Sequence, residues 1–186
     1  MNAAENFQHI SSKMFLYYKS LADQSMALLS EEEIHYRPNG SSNSVAVLVK
    51  HMSGNMLSRF TDFLTSDGEK EWRNRDDEFE DTFTSKADML SAWERGWACL
   101  FAAIQDVEGM DMTGIVYIRN EGHTILEAVT RQVAHYAYHV GQIVFLSKLI
   151  KDDAFQSLSI ARGASAAFNK TKFDKDKERR FFADGK

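Results

Sequence analysis

The sequence predicts an all-α protein, a four-helix bundle with one long crossover connection. Three observations predict it: Pro38 is the only proline in 186 residues, long stretches carry apolar residues at helical spacing, and polar, Gly-containing segments separate them. With 44% hydrophobic and 12% aromatic residues, the chain can build one packed core and is short for two. A single domain is expected over residues 1–168, followed by a basic, solvated tail over 169–186.

The first helix is expected at about residues 3–29, with Phe7, Ile10, Met14, Leu21, Met26 and Leu29 on its apolar face. Ser30-Glu31-Glu32-Glu33 has the pattern of a capping box and opens a short turn before Pro38. A second helix should run from about Ser44 to Leu64, carrying His51, Asn55 and Arg59 at four-residue steps on one face. Ser85-Lys86-Ala87-Asp88 caps a third helix that extends to about Asp106 through Trp93 and Trp97. The fourth opens at the capping box Thr124-Ile125-Leu126-Glu127 and continues to about Lys151. Before it, Gly114 to Arg119 is β-branched and aromatic enough for a short strand, half of a hairpin with His123-Thr124-Ile125. The connection at 65–84 is long and charged, with Trp72-Arg73-Asn74-Arg75 at its centre, and connections of that length usually have a function or move.

A net charge of −5 argues against a general nucleic-acid binder, whose affinity comes from a basic surface. No signal-peptide pattern and no apolar run of membrane-spanning length is present, so a cytoplasmic location is expected. The single Cys99 excludes an internal disulfide, and its aromatic helical setting suits a buried, inert thiol.

The chemistry concentrates in Arg131-Gln132-Val133-Ala134-His135-Tyr136-Ala137-Tyr138-His139-Val140-Gly141-Gln142. Side chains four apart on a helix lie about 5–6 Å from each other at Cβ, so His135 and His139 can share a metal ion. His51, in an apolar run where a lone imidazole would be costly, supplies a third ligand. Three imidazoles leave one coordination position open, as in catalytic sites. The only Glu-x-x-His is Glu32 to His35, and Glu127 lies two turns from His135, so a di-iron carboxylate centre is not expected. Zinc suits this set best, with nickel and iron as alternatives.

Asn55, Arg59, Arg131 and Gln142 flank the three histidines and are candidates for binding and orienting a substrate, which the arginines make anionic. Arg73 and Arg75 either close over the same end or pair with Asp62, Asp76, Asp77, Glu78 or Glu80. Tyr138 either packs or orients a ligand.

His51 followed by the His135-x-x-x-His139 pair resembles the DinB-like superfamily of metalloproteins. The similarity covers roughly residues 5–165 and includes Tyr36-Arg37-Pro38-Asn39-Gly40-Ser41-Ser42-Asn43-Ser44 before the first histidine. His51-Met52-Ser53-Gly54-Asn55, the arginine-rich connection and Leu158-Ser159-Ile160-Ala161-Arg162-Gly163 look like a bacterial branch of largely unassigned function. The resemblance implies a four-helix bundle, a divalent metal on the histidine triad, and frequent homodimers. It also implies that some relatives are thiol S-transferases using bacterial low-molecular-weight thiols such as bacillithiol or mycothiol. Lacking a suitably placed cysteine, this chain would need a thiol cosubstrate for such chemistry. Two other readings remain open: a metal-dependent hydrolase, and a non-catalytic dimeric bundle binding a metal or a small anion.

Overall fold

A computed structural model describes residues 1–184, so the last two residues of the expected tail lie outside it. Helices α1 (Ala3–Ala27), α2 (Val45–Phe60), α3 (Lys86–Asp106) and α4 (Ile125–Lys151) form the bundle. The hairpin β1 (Ile115–Ile118) and β2 (Glu121–Thr124) precedes α4, and a short α5 (Ser165–Phe173) follows it. The protein is all-α with a small antiparallel hairpin, as the periodicity predicts. None of these helices is long and apolar enough to cross a membrane, among the described residues.

The caps lie where the polar residues place them. Ser44 accepts from the Val47 N–H at 3.2 Å and Ser85 from Asp88 at 3.1 Å. Thr124 and Glu127 close a reciprocal box at the head of α4, and Ser30 and Glu33 do the same ahead of a single 3-10 turn over Glu33–His35. α2 stops four residues earlier than its apolar pattern suggests. Thr61 is extended and Asp62 adopts φ 48°, a left-handed conformation that ends the helix. α5 was not legible, because it has no side-chain cap and buries no residue. Residues after α5 return to α1, where Asp184 meets Lys13 at 2.7 Å and Phe182 packs on Tyr17.

α2 packs mainly on α3, and α1 mainly on α4. At the α2–α3 crossing a Cβ on Gly96 would sit 3.0 Å from the Ser53 Cα, so glycine permits that approach. Phe15, Trp93, Trp97 and Tyr136 form the aromatic centre of the core, with ring centroids 5.4–6.2 Å apart in successive pairs. This packing holds α2 and α4 side by side and brings the functional face of one against that of the other.

Candidate metal centre

His51 from α2 and His135 and His139 from α4 converge at one end of the bundle. The Nε2 of His135 lies 3.4 Å from that of His51 and 3.0 Å from that of His139. Ligands about 2.0–2.1 Å from a tetrahedral ion stand about 3.3 Å apart, so the spacing is that of three corners of one coordination sphere. His51 and His139 are only 4% and 8% exposed. Burial, reinforced by the neighbouring His139, His51, Arg59 and Arg73, pushes the His135 pKa down to about 3. Burial also lowers that of His139, against the effect of its bond to Gln142. Neutral imidazoles with converging lone pairs repel each other unless a cation lies between them, so the donor set fits a divalent ion.

Each ring is oriented from behind through Nδ1. That of His51 donates to Glu78 Oε2 at 2.9 Å, that of His139 to Gln142 Oε1 at 2.8 Å, and that of His135 faces Gln132 Oε1 at 3.4 Å. Protons held on Nδ1 would leave Nε2 free for a metal ion, the usual outer arrangement where histidines are ligands. Phe79 stacks on the His51 ring and Tyr138 lies edge-on to His139.

Glu78 comes from the long connection and is 5% exposed. Arg73 grips it with Nε on Oε1 at 2.8 Å and Nη2 on Oε2 at 2.9 Å. Burial alone would raise the Glu78 pKa, but the bonds to His51 and Arg73 outweigh it and keep the carboxyl below its usual range. Arg73 also meets Glu69, which binds Arg59 and Arg119. A largely buried chain thus runs from the His51 imidazole through Glu78, Arg73 and Glu69 to Arg59, alternating in charge from Glu78 onward.

Gly54 makes that chain possible. It lies one turn after His51, and a Cβ there would overlap the Glu78 carboxyl group. Gly54→Ala should leave α2 helical, since alanine is the better helix former, yet push Glu78 off His51. We expect zinc affinity to fall about 10-fold, the lower bound for losing an outer-sphere partner, measured by competition with a chromogenic chelator. Unchanged affinity would show that Glu78 does not support His51.

The imidazoles open into a cavity of about 440 Å³. Five arginines line it, Arg59, Arg73, Arg75, Arg119 and Arg131, and no carboxylate does among the described residues. Asn55 lines it too, with its Oδ1 accepting from the Tyr136 hydroxyl at 2.9 Å. Arg59 is 6% exposed, donates to the Gly68 carbonyl and to Glu69, and leaves its Nε without a partner. Arg75 lies over the Phe79 ring, and neither it nor Arg131 has an ion-pair partner among the described residues. Every residue singled out by spacing therefore reaches the cavity except Gln142, which stands behind His139. Arg73 meets both expectations at once, paired with Glu78 and lining the cavity.

A family model described as a protein of unknown function (DUF1572) matches residues 2–164. The chain belongs to this family. DUF1572 is itself a DinB-like family, in agreement with the resemblance carried by the three histidines. No curated protein matches the sequence. For this DUF1572 member, spacing could not reveal Glu69 in the connection or Arg119 in the hairpin, and Glu78 was expected only as a partner of an arginine, not of His51. Gln132 was missed although it sits one turn before His135, where the helical repeat could have pointed to it.

Proposed function

We infer that the protein is a divalent-metal-dependent enzyme for anionic small molecules, and that it transfers a low-molecular-weight thiol to an electrophile. The observation supporting this most strongly is that five arginines and, among the described residues, no carboxylate line the cavity onto which the three converged imidazoles open. Zinc is the ion best matched to the donor set, ahead of nickel and iron. A divalent ion held there supplies Lewis acidity, which favours the deprotonated form of a thiol.

The chain's own residues bind and orient. Arg131 and Arg75 have charge to offer an incoming carboxylate, Arg59 adds a buried guanidinium, and the Asn55 amide borders the same space. Tyr138 bounds the cavity from α4. Cys99 does not line it, so the thiol arrives as a second substrate. Hydrolysis is the second reading, since a divalent ion on the same three imidazoles would also lower the pKa of a bound water to about 7. Dependence of turnover on a thiol separates the two. A homodimer belongs to the proposal as well: Phe145 and Leu149 leave an apolar strip on α4 of the kind a second copy covers.

The test compares two thiols with zinc-loaded protein and a chromogenic aryl halide: mercaptosuccinate, which carries two carboxylates, and neutral thioglycerol. The anionic thiol should be conjugated faster. Arg131→Ala should reduce that preference about 10-fold, the worth of one hydrogen bond between charged groups. Absence of acceleration with every thiol would remove the transferase reading.

A further inference from the structure

The tip of the β1–β2 hairpin is built in an unfavourable way. Ile118 pairs with Glu121, so Arg119 and Asn120 alone make the turn, with φ of 56° and 60°. Two successive left-handed residues define a type I′ turn, for which Asn-Gly is the preferred pair. An arginine in the first position is disfavoured, because its Cβ crowds the backbone there.

The strain is held by the long connection. Asp67 accepts the Arg119 N–H on Oδ1 and the Asn120 N–H on Oδ2, both at 2.8 Å, and the Glu69 N–H at 2.7 Å. Gly68 N–H donates to the Tyr117 carbonyl at 2.8 Å, fastening the connection to the same tip. The result places the Arg119 side chain at the metal cavity, where Nη2 stands 3.3 Å from Glu69. Glu69 already serves Arg59 and Arg73, so it cannot neutralise a third guanidinium. Arg119 is more than half exposed and retains donors for a further anion.

We propose that Arg119 is a ligand-binding residue of this site, contacting an anionic group of the substrate, and that Asp67 is its positioning residue. The proposal rests on the anionic reading above and extends it to a residue outside the two helices that hold the histidines. The turn keeps an ill-suited residue because the side chain is used, and Asp67 with Gly68 keeps that side chain directed at the cavity.

The test is Arg119→Asn, which supplies the residue the turn prefers. The zinc-loaded variant should melt at the same temperature as the parent or higher, yet bind mercaptosuccinate about 10-fold more weakly by isothermal titration. Its affinity for thioglycerol should stay at the parent value. Asp67→Asn should weaken mercaptosuccinate binding in the parent and cause no additional loss in the Arg119→Asn background. Parent-like mercaptosuccinate binding by Arg119→Asn would overturn the assignment. So would a lower melting temperature, which would make Arg119 a structural partner of Glu69. A parent that fails to prefer mercaptosuccinate over thioglycerol would instead remove the anionic reading itself, and Arg119's role with it.

Discussion

His135→Ala should abolish stoichiometric metal binding. Protein purified without a tag or chelator is expected to carry close to one equivalent of a divalent ion by elemental mass spectrometry, and the variant little. His135 is the imidazole common to both short Nε2–Nε2 distances, so its loss leaves His51 and His139 without the ligand between them. The effect should exceed the 10–100-fold that removal of an outer hydrogen bond costs, because a coordinate bond is lost rather than weakened. His135 is half-buried at the cavity wall, so truncation opens space next to solvent and the bundle should still fold. A parent that refuses added zinc, nickel, iron and manganese would overturn the metal centre and leave a binding or structural bundle.

Glu78→Ala should be the most destabilising single change in the site. The Arg73 side chain is 2% exposed and that of Glu78 is 7% exposed, so the pair is out of water on both sides. Removing the carboxylate leaves Arg73 with only its longer contact to Glu69 at 3.1 Å. Breaking a buried pair in this way costs about 3–5 kcal/mol, far more than the pair itself contributes relative to an apolar replacement. The same substitution releases the Nδ1 of His51, so metal affinity should fall about 10–100-fold. Denaturant unfolding and chelator competition report the two losses separately. Arg73→Met in the Glu78→Ala background should recover much of the stability and none of the metal affinity. Recovery of both would show that Glu78 acts only as a counter-ion to Arg73.

The helices and the convergence of the three histidines were legible for the same reason. His51, Asn55 and Arg59 repeat at the helical period, as do His135 and His139, and a bundle that buries one face of each helix must bring such residues together. Ser44, Ser85 and Thr124 announced the helix starts through local hydrogen bonds that need no tertiary information. Glu78 and Glu69 gave no such signal. Glu78 lies in a single 3-10 turn over Asp77–Phe79 and Glu69 on irregular backbone, each among several acidic neighbours, and the room for Glu78 to reach His51 is left by Gly54 on another element. Arg119 was hidden for a related reason: a left-handed arginine has no sequence signature, and its partner Asp67 lies 52 residues away. The early end of α2 depends on Asp62 adopting a conformation that aspartate tolerates but does not demand.

The connection between α2 and α3 supplies the carboxylate behind His51 and, through Arg73 and Arg75, part of the charge facing the cavity. If the ion and the anion both bind as proposed and each orders residues 66–80, they are thermodynamic partners. The segment ordered for one then carries no second entropy cost for the other, and reciprocity makes each raise the affinity of the other by the same factor. Backbone amide exchange in that segment should slow on metal loading and slow again when an anion is added. Identical exchange in all three states would make the connection a rigid wall and the two binding events independent.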